Sequence, residues 1–298
     1  MKTLENQAQN KVTIIGKLVD KVITERKTTD GRPALSAQAT IRVTQTYGGK
    51  EETSEIRTSF FATKLTTKGM PNPAYQSLVD LGTYNSIQDV GYDKADNIRV
   101  TGGSIGENAY VSKNGTLVDN YRINGSFVSK TNTSDAATFI IDIFILDMHP
   151  EVDRDDDPTG RLVVRGAIVQ YGGKLDVVEF IVEDPNNVDY IEKNWNEGDT
   201  VTVKGRIRAT SVEIKSSGAS SSWGEDVPDD TTKYINELII TKGDDSGKEE
   251  DFAYDPTEIK KGFNRRKAEI EQMQVDAKNK GSDSKASSKS SKTSYDWQ

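Results

Sequence analysis

The chain has no cysteine, which excludes disulfides, thiolate zinc sites and cysteine nucleophiles. Its single histidine, His149, stands beside Pro150 at a strand end. No Ser-His-Asp set, Glu/His metal set or phosphate-cradling glycine loop accompanies it. No apolar run approaches the ~20 residues of a membrane-spanning helix, and the first residues lack the apolar core of a secretory signal. These absences predict a soluble, cytoplasmic protein with no cofactor and no enzymatic activity. Hydrophobic residues make up only 34% and charged ones 29%, so part of the chain is expected to be loop or tail instead of core.

Acid is concentrated. The formal net charge is -8, yet residues 225–258 hold twelve acids against three bases, and residues 151–157 hold five acids and Arg154. Everything else is therefore mildly basic, so an overall acidic balance does not exclude a polyanion partner. Asp153, Asp155, Asp156 and Asp157 lie in a Pro/Gly turn, which reads as a solvated loop, although such a cluster is also what a Mg²⁺-dependent nuclease would use.

The clearest positive signal is residues 198–207. Val201, Val203 and Ile207 fall on one side of a strand, and Thr202, Lys204 and Arg206 on the other. Gly205 interrupts the apolar row, as happens where a strand bends or another backbone comes close. Ile98, Val100 and Gly102 repeat the spacing. Around each copy the order is the same: three strands, a short helix, then two strands. In the first half the strands fall near residues 11–26, 34–47, 56–64, 98–105 and up to 128, with a helix at 74–84 and an Asn114-Gly115 hairpin turn. In the second half they fall near 139–148, 161–171, 175–182, 200–208 and 234–241, with a helical segment at 188–195. Tyr47-Gly48-Gly49-Lys50 recurs as Tyr171-Gly172-Gly173-Lys174, each time between the second and third strands.

This layout is that of the five-stranded Greek-key barrel called the OB-fold. Phe60 to Lys64, the helix, Ile98 to Gly102 and Asn114-Gly115 follow a pattern that resembles bacterial and phage single-stranded DNA-binding proteins. The expected fold is mainly β, with two tandem five-stranded barrels. The divisions are a flexible N-terminus at 1–10, barrels at 11–133 and 136–246, an acidic linker and amphipathic helix at 247–280, and a disordered Ser/Lys-rich tail at 281–298. The two barrels are expected to be separate and to superpose.

The resemblance implies sequence-tolerant binding of single-stranded DNA, with bases stacked on aromatics and phosphates met by cations. Candidates in the first barrel are Tyr47, Phe60, Phe61, Tyr110 and Tyr121, with Arg42, Arg57, Lys64, Lys113 and Arg122. Phe60 and Phe61 are adjacent on a strand, so one faces the core and one faces out. Candidates in the second are Tyr171, Trp195 and Trp223, with Arg165, Lys174, Lys204, Arg206 and Arg208. Any one of these aromatics can equally be a core residue. Lys204, Arg206 and Arg208 share a strand face, where either a phosphate backbone or the acids at 225–230 would neutralise them. Trp223 is either a base clamp or an incidental residue of a loose loop.

Ile259, Phe263, Ile270, Met273 and Ala277 mark a C-terminal helix across residues 257–280, either a short coiled coil or a helix docked on a barrel. Tyr295 and Trp297 end the tail and are candidates for docking replication or recombination proteins. The rival reading, from a different class, is a phage structural or assembly protein that uses OB-like barrels as protein-binding modules.

Overall fold

The computed structural model describes residues 1–112, 116–153, 155–214 and 231–287. Alternating apolar residues form long bent strands in both halves. The first half holds β1 (Asn10–Lys27), β2 (Pro33–Tyr47), β3 (Lys50–Thr63), β4 (Asn97–Val111), β5 (Leu117–Gly125) and the short β6 (Phe127–Lys130). Between β3 and β4 lie α1 (Pro73–Leu81) and α2 (Ile87–Val90). The second half holds β7 (Ala136–Val152), β8 (Pro158–Val169), β9 (Leu175–Val182), α3 (Pro185–Asn194), β10 (Thr200–Ile214) and β11 (Thr231–Asp244), and α4 (Pro256–Ser287) follows.

Each half closes on itself. β1 pairs with β2, β2 with β3, β3 with β5 in parallel, β5 with β4, and β4 back with β1. β7, β8, β9, β11 and β10 repeat this circuit, again with one parallel pairing. Both are five-stranded barrels of the OB type, barrel 1 and barrel 2. Inside barrel 1 lie Ile14, Ile41, Ile56, Phe60, Val100 and Ile105; inside barrel 2 lie Phe139, Ile143, Val164, Phe180, Val203 and Leu238. The rings of Phe139 and Phe180 meet at 5.7 Å.

The barrels are not separate. Asn10–Ile15 of β1 pairs antiparallel with residues 136–141 of β7, so a single 11-stranded hydrogen-bonded sheet runs through both. Along residues 12–15, β1 pairs with β4 of barrel 1 on one edge and with β7 of barrel 2 on the other.

The ends of the chain also differ from the sequence expectation. Residues 1–10 are docked instead of frayed: Leu4 and Ala8 are buried, and Lys2 bridges to Tyr254. Tyr254 is 1% exposed, and its hydroxyl donates to Asn6 O at 2.6 Å. The segment before α4 is thus packed, and α4 lies on the body through Ile259, Phe263 and Gly262. The helix runs to Ser287, and residues 288–298, with Tyr295 and Trp297, lie outside the described residues.

Candidate nucleic-acid interface

The strand period of two sorts β2 and β3 into two faces. Ala37, Ala39, Ile41 and Val43 turn inward with Ile56, Thr58 and Phe60. Outward, Thr44 stands opposite Thr53, Arg42 opposite Glu55, Thr40 opposite Arg57, Gln38 opposite Ser59 and Ser36 opposite Phe61. The first four of these rows floor an open groove of about 1270 Å³. One wall is the β4–β5 hairpin, with Asn108, Asn120, Tyr121 and Arg122; the other comes from barrel 2, with Ala209, Thr210, Ser211 and Asn236.

The groove is polar and lightly cationic. Arg42 Nη2 meets Glu55 Oε1 at 2.5 Å, and its guanidinium lies 6.0 Å from the Tyr92 ring centre. Among the described residues Arg57 and Arg122 make no ion pair, and both are exposed. Phe61, on the same strand face, is 59% exposed. Tyr121 is partly buried against the core, and burial pushes its phenol well above the ordinary value.

The cationic row of barrel 2 lies elsewhere. Arg206 is buried between Glu52 (Nη1 to Oε1 2.6 Å) and Glu183, and its guanidinium stacks 4.1 Å from the Tyr47 ring centre. Arg208 holds Glu52 at 3.0 Å, Glu183 at 2.9 Å and Glu237 at 2.9 Å. Arg161 meets the other oxygen of Glu237 at 2.7 Å. The counter-charges are these glutamates, from β3 of barrel 1 and from barrel 2 itself. This network fastens the β10 hairpin onto barrel 1, where the Ala209 amide also donates to Ser54 Oγ at 3.1 Å. Burial raises the Tyr47 phenol, against the lowering charge of Arg206. Lys204 is half-buried on the same strand and makes no ion pair among the described residues.

The remaining candidates scatter. Phe60 is the inward partner of Phe61 and a core residue. Trp195 is likewise core, 3% exposed, and its indole N–H donates to Asp245 Oδ1 at 2.8 Å, so no base can reach it. Lys64 and Tyr110 are exposed at strand ends beyond the groove floor. In barrel 2, Arg165 meets Glu179 at 3.4 Å and Lys174 meets Asp176 at 2.9 Å, while Tyr171 is 87% exposed on its turn. Lys113 and Trp223 lie outside the described residues. Sequence reasoning had passed over Gln38, Thr40, Asn108, Asn120 and Ser211. For Gln38 and Thr40 the signal was present, since they share the parity of Arg42. The Asp153 turn spends its carboxylate on the amides of Asp155 and Asp157, at 2.9 and 3.0 Å.

The YorF family model matches residues 8–276, most of the chain. The chain belongs to the YorF family. That match takes in both barrels of this YorF member and the docked part of α4. A search of curated proteins finds no match. Among solved structures, the chain is similar to a deletion variant of the single-stranded DNA-binding protein from Thermus aquaticus. Identity is 14%, coverage is 80% of this chain and 95% of that one, and the TM-score is 0.49. The wild-type protein from the same organism gives 12%, 80%, 94% and 0.49.

Proposed function

We propose that this YorF-family protein binds single-stranded DNA without base specificity and without catalysing a reaction. The observation that supports the reading is the groove on β2 and β3 of barrel 1. It is open and polar, with Arg57 and Arg122 in no ion pair among the described residues and Phe61 exposed on the same face. In OB barrels the face of the second and third strands, with the flanking loops, is where oligonucleotides lie. Two guanidiniums free to meet phosphates and a ring free to take a base are the parts such binding needs. Polar floor residues suit a backbone track, because none of them demands a particular base. Coating exposed strands in replication or recombination, in a phage or its host's cytoplasm, fits this chemistry, with partners engaged through the C-terminal segment.

Fluorescence titration with a labelled oligothymidylate at low and high salt tests the reading. Wild type should bind with an affinity that falls as salt rises. Arg57→Ala should flatten the slope of log affinity against log salt by about 0.7, the contribution of one single-strand phosphate contact. Wild type that shows no salt-dependent binding to any single strand would remove this reading and leave the barrels as protein-binding modules.

A further inference from the structure

The outward faces of the second and third strands can be compared between the barrels, although the recurring Tyr-Gly-Gly-Lys turn closes them differently: Tyr47 pairs with Lys50, whereas the last pair of β8 and β9 is Val169 with Leu175. Moving away from the turn, barrel 2 presents Val169 opposite Leu175, Ala167 opposite Val177, Arg165 opposite Glu179 and Val163 opposite Ile181. The outward rows of β2 and β3 in barrel 1 are the polar pairs that floor the groove. In barrel 2 all but the Arg165–Glu179 row are apolar, and Val163, Ala167, Val169, Leu175 and Val177 are buried.

The chain itself roofs the rows of this face nearest the turn. Gly262 of α4 sits so close that a Cβ there would stand 3.2 Å from Leu175 Cβ and 3.4 Å from Leu4 Cδ2. The Ala8 amide of the N-terminal arm donates to Val169 O at 2.8 Å. From barrel 1, the Glu107 amide donates to Asp176 Oδ2 at 3.0 Å, and the Val177 amide donates to Glu107 Oε2 at 3.2 Å. Arg266 of α4 clamps the same Glu107 carboxylate with two bonds, 2.6 and 2.8 Å. A strand entering here would have to expose buried apolar side chains and break a buried ion pair.

We infer that the chain carries one strand-binding site, not two. Barrel 1 supplies the floor, and barrel 2 supplies a wall through its β10 hairpin. The rows nearest the turn on the equivalent face of barrel 2 are covered by the N-terminal arm, α4 and β4, and the next row is closed by the Arg165–Glu179 ion pair. The duplicated fold has become one site and one scaffold, and Arg206 and Arg208 hold the scaffold's hairpin against the floor. This inference rests on the strand-binding reading above.

Calorimetric titration of the full chain with an oligothymidylate of about 8 nucleotides, within the span of a single OB barrel, decides it. One oligonucleotide should bind per chain. Ser211→Glu places a negative charge on the wall that barrel 2 contributes. It should weaken binding about fivefold, the change one like charge about 4 Å from a phosphate gives in water. Arg165→Ala, on barrel 2's own face, should change neither affinity nor salt slope. Two oligonucleotides per chain would overturn the inference and leave strand binding standing. So would Arg165→Ala weakening binding while Ser211→Glu does not. Wild type that binds no oligonucleotide would instead remove the strand-binding reading beneath it.

Discussion

Arg206 shows how a residue's surroundings reverse the meaning of its position. By alternation it belongs to an outward row with Lys204 and Arg208, where a phosphate track would lie. Its side chain is only 5% exposed, closed in by Glu52 and Glu183. Breaking a buried pair by removing one partner strands the other charge, at a cost of about 3–5 kcal/mol. Arg206→Ala should therefore lower stability by that order in urea denaturation, whereas Arg57→Ala should stay within about 0.5 kcal/mol of wild type. An Arg206→Ala protein as stable as wild type would show that the network contributes nothing. Acid should act on the same contact. Burial alone would raise the Glu183 pKa, but the hydrogen bond and charge of Arg206, with Arg208, hold it below its ordinary 4.5. A depressed carboxylate stabilises the fold above its unfolded pKa, and that contribution is lost as pH falls through the folded value. Stability should accordingly drop below about pH 4.5, and the drop should be shallower in Arg206→Ala, since the lowered pKa depends on that guanidinium.

At the scale of the element, β10 was the most legible strand in the sequence, and its glycine was read for the right reason. A Cβ on Gly205 would lie 2.0 Å from Ile239 O and 2.5 Å from the Phe139 ring, at the point where the register with β11 shifts. Neither the backbone carbonyl nor the packed ring can yield cheaply. Gly205→Ala should therefore destabilise by about 3 kcal/mol or more, while alanine at an exposed position such as Ser211 should be near neutral; equal melting temperatures for the two would contradict this account. The ten barrel strands, α1, α3 and the strand order were readable because period two, turn glycines and the repeat are local signals, whereas the one-turn α2 was not expected. α3 begins at Pro185, earlier than expected from its apolar residues. Asp184 caps the amides of Asn186 and Asn187, and proline suits the first helical turn. The groove floor was half legible: Arg42 and Arg57 stood out as cations on the expected strands, and alternation divided Phe60 from Phe61. What lay out of reach depended on distant partners. Nothing near Trp195 announces Asp245, nothing near Arg206 announces Glu52, and Leu4 and Ala8 look like frayed-end residues until α4 and β8 are brought to them.

For the whole molecule, the repeat implied two independent barrels, and the chain instead ties them at several levels. The β1–β7 ladder spans six residue pairs, so the first strand of each barrel is also part of the other's edge. Glu107, from barrel 1, is buried against the Asp176 carboxylate and the Val177 amide of barrel 2 and against Arg266 of α4. The N-terminal arm is pinned by Tyr254, immediately before that helix. Unfolding barrel 1 alone would strip β7 of a neighbour, leave Arg206 and Arg208 without Glu52, and uncover the apolar face of barrel 2. Each of these costs falls on the barrel supposed to remain folded, so an intermediate with one barrel intact should be poorly populated. Heating should give a single transition with calorimetric and van't Hoff enthalpies in agreement. Hydrogen exchange should report similar opening free energies for core amides such as Ile41 in barrel 1 and Val164 in barrel 2. Two resolved transitions, or one barrel's amides exchanging well before the other's, would mean that the shared ladder is too weak to couple the barrels. The groove wall contributed by barrel 2 could then swing away from its floor without global unfolding.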